Sequence, residues 1–309
     1  MKPKKLTQNR LIAGTVCTGA ILLMAAGARG QNLFVSTLVG DNIVEIAPGG
    51  SQSNFATGMY YPTGIAFNSS GDLFVANSAL DAGLAGNITE ITPNGTPSTF
   101  ASGIDPKAVA VSSSGNVFEA DYHSGFIYEY TPSGVRSTFA AGFAAPECLT
   151  FDSMGDLYVG AGYGNGNGYI TKIAPNGTQT SIATGLSFPS GLAFNSAGDL
   201  FDADGGDNTI FEFTPGGAKS TFVSGLSGLS GLAIDGTGNL YATSGSGPIY
   251  KITPGGTEST ITTISGNPFG IAVQPVPEPS IFGLFVGGLA SLLMLRRSAF
   301  RKIGCGGRI

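Results

Sequence analysis

Residues 62–76 read Pro62-Thr63-Gly64-Ile65-Ala66-Phe67, a three-residue spacer Asn68-Ser69-Ser70, then Gly71-Asp72-Leu73-Phe74-Val75-Ala76. Both phrases recur. The second returns at Gly115, Gly155, Gly198 and Gly238, and in degenerate form from Gln31, so its starts lie 40, 44, 40, 43 and 40 residues apart. The first returns at Pro106, Pro146, Pro189, Leu229 and Pro268. A third phrase begins at Ile43, Ile88, Ile127, Ile170, Ile210 and Ile249, and each copy meets a Pro five residues on. A fourth closes the unit, as in Ser98-Thr99-Phe100 and Ser220-Thr221-Phe222. A repeat this regular governs every other fold argument.

Each phrase is short, rich in β-branched and aromatic residues, and bounded by Gly, Pro, Asn or Asp. That is a strand between turns, and Pro-Asn-Gly or Pro-Gly-Gly after the third strand supplies the turn chemistry. Four antiparallel strands per roughly forty residues is one blade of a β-propeller. A lone four-stranded sheet cannot bury both faces, whereas blades packed around an axis can. The fold class is therefore all-β, a six-bladed β-propeller over residues 31–274. The phase predicts ring closure: the unit begins at its second strand near Leu33 and an extra first strand, Gly270–Val273, remains at the other end. Pairing the two completes a blade and removes both sheet edges.

The chain has 309 residues, 49 of them Gly and 17 Pro, with 42% apolar residues and mean hydropathy +0.21. So apolar a chain is not disordered, and its Gly follows no collagen period. Of 15 Lys and Arg, five precede residue 31 and five follow residue 295. The middle holds five cations against 19 acids, a net charge of −14. A surface so acidic excludes nucleic acid as a partner. Among three Cys, only Cys148 lies in the repeats, so no disulfide forms there.

Both termini read as addresses. Residues 1–30 have a basic start, the apolar run 11–26 and small residues to Gly30, the pattern of a secretory signal peptide forming an N-terminal helix. Residues 275–309 carry Pro277-Glu278-Pro279, an uncharged run over 281–295 that predicts a transmembrane helix, and Arg296-Arg297 with a basic tail. Fifteen helical residues span about 22 Å, short of a ~30 Å hydrocarbon core, so this is a marginal anchor but an adequate sorting signal. Basic residues after the span predict a cytoplasmic tail, with the repeats outside the inner membrane.

The three-part terminus resembles a PEP-CTERM sorting tail. The resemblance implies export across the inner membrane of a bacterium, processing by an exosortase, and transient anchoring on the way to the cell surface or the extracellular matrix. The repeat phrases themselves resemble NHL repeats and are similar to gluconolactonase-like (senescence-marker) and streptogramin lyase-like propellers. The gluconolactonase resemblance implies a divalent metal at the ring mouth, held by Glu, Asn and Asp, some from between the Pro and the Gly of the first phrase. Here those positions hold Thr63, Lys107, Glu147, Ser190, Ser230 and Phe269. Only Glu147 supplies a carboxylate, and Lys107 in the adjacent blade makes an ion pair with it the simpler expectation. The lyase resemblance implies a His and a Glu at the mouth, for which His123 and Glu147 are the candidates.

Other residues add ligand chemistry. Connections into the first strands carry Tyr60, Tyr61, Phe143, Phe188 and Phe269, expected to ring one face and suit sugar stacking, with Lys107 and Glu147 as further ligand-binding candidates. No cofactor is required, although Asp202, Asp204 and Asp207 could hold Ca²⁺ through oxygens. Asn77, Asp121 and Asp204 share one repeat position and are expected to bond local backbone at a strand end. Glu119 and Asp202 stand where sister copies have Val75 and Val159, with no account from sequence. The reading is an exported, non-enzymatic surface propeller binding an extracellular ligand such as exopolysaccharide or another matrix component. The alternative is a secreted lactonase, hydrolase or lyase of the same fold.

Overall fold

A computed structural model of the chain describes residues 30–78, 85–164 and 166–276. The signal segment and the sorting motif Pro277, Glu278, Pro279, Arg296 and Arg297 lie outside the described residues. Twenty-four strands, numbered in chain order, form six four-stranded antiparallel sheets. Blades 2 to 6 occupy residues 62–104, 106–141, 146–186, 189–224 and 229–263. Blade 1 takes residues 33–57 and completes itself with the last strand.

The first phrase forms the inner strand of each blade: β4 (Pro62–Phe67), β8 (Pro106–Val111), β12 (Pro146–Phe151), β16 (Pro189–Phe194), β20 (Leu229–Ile234) and β24 (Pro268–Val273). The second phrase forms the next strand out, including β1 (Leu33–Thr37), β5 (Leu73–Asn77), β9 (Val117–Asp121), β13 (Leu157–Ala161) and β17 (Leu200–Asp204). Closure is as expected. β24 pairs antiparallel with β1, Leu33 opposite Val273 and Phe34 opposite Ala272. The closing strand begins at Pro268, two residues earlier than the sequence implied.

Why these residues form these strands follows from burial on both faces. Along a strand, successive side chains point to opposite sides. In β9, Val117 packs back against blade 2, while Phe118 and Ala120 pack forward against blade 4. The second-strand aromatic crosses the seam edge-on: Phe34 meets Phe67 at 5.0 Å, Phe118 meets Phe151 at 5.1 Å, and Tyr158 meets Phe194 at 4.8 Å. Gly71, Gly115, Gly155, Gly198 and Gly238 turn the first strand into the second with φ between 84° and 88°, a region that a side chain strains. Inner strands approach so closely that a Cβ on Gly270 would lie 2.3 Å from the Thr63 carbonyl oxygen.

Inner strands all run from one face, here the front, to the rear. Six equivalent hydrogen bonds tie the residue after each second strand to the residue before its inner strand, such as Tyr122 N to the Asp105 carbonyl and Gly205 N to that of Phe188. Loops after the second strands therefore share the front face with the connections into the inner strands. The described body starts and stops at the rear: Gln274 N donates to the Asn32 carbonyl, and the Gln31 amide donates to that of Gln274.

Candidate functional site

Ile65, Val109, Leu149, Leu192 and Leu232 form a waist on the ring axis and line two cavities among the described residues. Behind this waist lies a cavity of about 330 Å³ edged by Phe67, Phe151 and Phe194. In front lies a smaller one, about 60 Å³, bordered by Glu147, Ser190, Ser230 and Phe269.

The second inner-strand positions behave in two ways. Thr63, Ser190 and Ser230 are buried, and their hydroxyls donate to the first-position carbonyl of the next blade: Pro106 at 3.4 Å, Leu229 at 3.1 Å and Pro268 at 3.0 Å. They are stitches between blades. Glu147 and Lys107 are the exception. Lys107 Nζ lies 3.4 Å from Glu147 Oε2, with the two side chains 13% and 2% exposed. The same ammonium sits 4.5 Å from the Phe269 ring centroid and 5.6 Å from that of Tyr122. The ion pair expected from sequence is present, closed in by two aromatic faces. Burial pushes the Glu147 carboxyl up, and the Lys107 ammonium pulls it back. Burial also raises the Tyr122 hydroxyl, with Glu147 and Tyr163 adding to the shift.

His123 is on the front face and exposed, its Nδ1 against Asp105 Oδ2. The Ser78 hydroxyl donates to the other oxygen of Asp105 at 3.1 Å. The Tyr122 and His123 rings meet edge-on at 5.2 Å, so His123 adjoins the aromatic wall of the Lys107–Glu147 pair.

The five front aromatics separate. Tyr60 is 41% exposed and meets Tyr61 at 5.9 Å, while Phe188 and Phe269 are half-buried. Phe143 departs from expectation. It is buried in the seam between blades 3 and 4, because Gly125 presses against its backbone and Tyr169 packs beside it. Tyr163, 69% exposed on the loop after β13, was not singled out from the sequence, nor was Tyr122. The signal available was loop position alone.

The three aspartates of blade 5 do not converge. Asp204 is fully buried and accepts backbone N–H bonds from Ser187, Phe188, Gly206 and Asp207 at 2.7–3.1 Å. Alternation along β17 places Asp202 beside Leu200 in the seam with blade 4, where neither carboxylate oxygen has a hydrogen-bond partner. Asp207 is exposed on the following loop. Among the described residues, no three His, Cys, Asp or Glu side chains are grouped to hold a metal ion. Asp204 and Asp121 do bond local backbone at the strand end, Asp121 accepting from Ser124 N at 2.8 Å, whereas Asn77 departs from that expectation and donates to the Asn87 and Thr89 side chains, both at 2.9 Å. Cys148 is buried, and burial pushes its thiol well up, with Asp202 and Glu147 adding, which leaves it an inert filler rather than a nucleophile.

No protein-family model and no curated protein matches the chain. Solved structures do. A chain of a nidogen/laminin complex superposes with a TM-score of 0.71 at 18% identity, covering 81% of this chain and 100% of that one. A structural-genomics target provisionally named a gluconolactonase gives 0.60 at 18%, covering 70% and 82%. A streptogramin B lyase gives 0.54 at 16%, covering 76% and 75%. At these identities the likeness is one of fold, shared by a chain of a nidogen/laminin complex and by proteins named as a gluconolactonase and a lyase.

Proposed function

We propose that this chain is an exported, surface-sorted and non-enzymatic propeller that binds an extracellular ligand on its front face, with exopolysaccharide or another matrix component as the ligand class. One observation carries the reading. The only carboxylate among the six second inner-strand positions is held against the Lys107 ammonium, and the three hydroxyls there bond neighbouring blades. The inner mouth is thus built for packing, while Tyr60 and Tyr163 stand exposed on the surrounding loops. Such rings stack on sugar faces, with nearby polar groups fixing orientation.

Retention on immobilised exopolysaccharide tests the reading. Replacing Tyr60, Tyr61 and Phe188 together by Ala should remove retention without changing the melt; unchanged retention would reject the site. Export through the N-terminal segment and exosortase processing of the tail form part of the same proposal. Mass spectrometry of surface material should find chains that begin near residue 31 and lack the basic tail.

A second reading is favoured by the His123–Asp105 contact. A carboxylate fixes the tautomer of a histidine and supports it as a general base, so a lyase-like or hydrolytic reaction at the mouth remains the competing function. Any turnover found should fall by about a hundredfold or more in His123→Ala. Full activity in that variant and in Glu147→Ala would sink it.

A further inference from the structure

The front face sorts its charges. Strand register puts Arg136, Lys172, Lys219 and Lys251 at the rear ends of their strands, opposite Tyr130, Tyr158, Phe213 and Tyr241. Among the described Lys and Arg, only Lys107 belongs to the front, and Glu147 holds it. Two front carboxylates stand beside aromatic side chains, and a third lies on a neighbouring loop. Asp41 is exposed and accepts the backbone N–H of Tyr61 at 3.2 Å, next to the Tyr60–Tyr61 pair. Asp207 is exposed on the loop whose Gly205 contacts the Phe188 backbone. Asp105 is partly buried beside Tyr122 and His123.

A carboxylate beside an aromatic plane suits a hexosamine: the sugar's C–H face covers the ring and its ammonium meets the acid. The protein contains an instance of this recognition. The Lys107 ammonium is enclosed by Glu147, Phe269 and Tyr122, so the mouth stabilises an alkylammonium with the same pair of group types. A polyuronate would meet the opposite situation, like charges with no unengaged Lys or Arg among the described front residues.

We propose that the front face recognises glycans carrying free amino sugars and discriminates against polyuronates. This rests on the binding reading above and specifies its ligand. The test is calorimetric titration of the full-length protein with glucosamine oligomers, their N-acetylated counterparts and uronate oligomers. The glucosamine oligomer should bind about tenfold more tightly than its N-acetylated form, and added salt should erode the difference. Asp41→Asn combined with Asp207→Asn should weaken it about fivefold, with an unchanged melt showing that the ring is intact. Equal affinity for the N-acetylated form, or any preference for the uronate, would overturn the charge assignment and leave the glycan surface standing. If none of the three binds a protein that melts cooperatively, the glycan surface falls with it.

Discussion

Glu119 and Asp202 occupy a second-strand position that is Val35, Val75 and Val159 in sister blades. Both are fully buried in seams between blades. Tyr130 donates to Glu119 at 3.4 Å, and the other Glu119 oxygen has no hydrogen-bond partner. Burial, with Asp121 adding, pushes the Glu119 carboxyl from 4.5 up to about 8, and burial with Asp204 raises Asp202 in the same direction. The folded ring therefore holds protons that the unfolded chain releases. That stabilisation is complete below about pH 4.5, declines as pH rises, and for Glu119 is gone above about 8. Restoring the sister residue, Glu119→Val or Asp202→Val, should raise stability by about 1–3 kcal/mol near neutrality and flatten the decline. Melts across the pH range check it; curves parallel to the parent would show that these acids are not the linked groups. Tyr61 makes a related case through its backbone, at φ 47° where the equivalent residue of blade 6 is Gly228. Tyr61→Gly should relieve about 1 kcal/mol of strain while weakening ligand retention. A variant no more stable than the parent would mean that the ring's contacts outweigh the strain.

Inner strands fit their neighbours by paired exchanges of volume. Where other blades place Gly64, Gly191, Gly231 or Gly270, β12 has Cys148, and β13 answers with Gly160 where β5, β9 and β17 have Ala. A Cβ on Gly160 would lie 2.5 Å from Cys148 Sγ. Gly160→Ala should thus be destabilising by about 1–3 kcal/mol, and Cys148→Gly alone should also cost stability through the emptied space. Combined, the two should recover about 1 kcal/mol or more relative to their sum. Strict additivity in a double-mutant cycle would refute the exchange. At this scale the sequence was most readable, because a phrase repeated six times states strand, turn and burial with the same letters. The Lys107–Glu147 pair was legible for the same reason: alignment of copies put both at one position. Phe143 was misread because its burial depends on how near the Gly125 backbone comes, which no repeat pattern expresses. Tyr163 and Tyr122 were missed because loop residues have no copies to compare. The seam burial of Glu119 could be suspected from its Val neighbours, but its contact with Tyr130 is tertiary.

Ring closure rests on β24, which supplies the inner edge of blade 1 and packs between β20 and β4. It also brings Phe269 to the mouth. A chain ending at residue 265 lacks this strand, exposes the edge of β1 and leaves the Lys107 ammonium without one aromatic wall. Loss of cooperative unfolding is expected for that truncation. A melt with the parent's midpoint and sharpness would mean the other five blades hold themselves closed. Since Phe269 belongs to the closing strand, a ligand that orders the mouth should also raise the melting temperature by mass action.

Gln31 and Gln274, where the described ring is entered and left, meet at the rear, the side away from Tyr60, Tyr163 and His123. Chain preceding Gln31 or following Gln274 joins the ring at the rear edge of blade 1, so the front loops with Tyr60, Tyr163 and His123 carry neither junction.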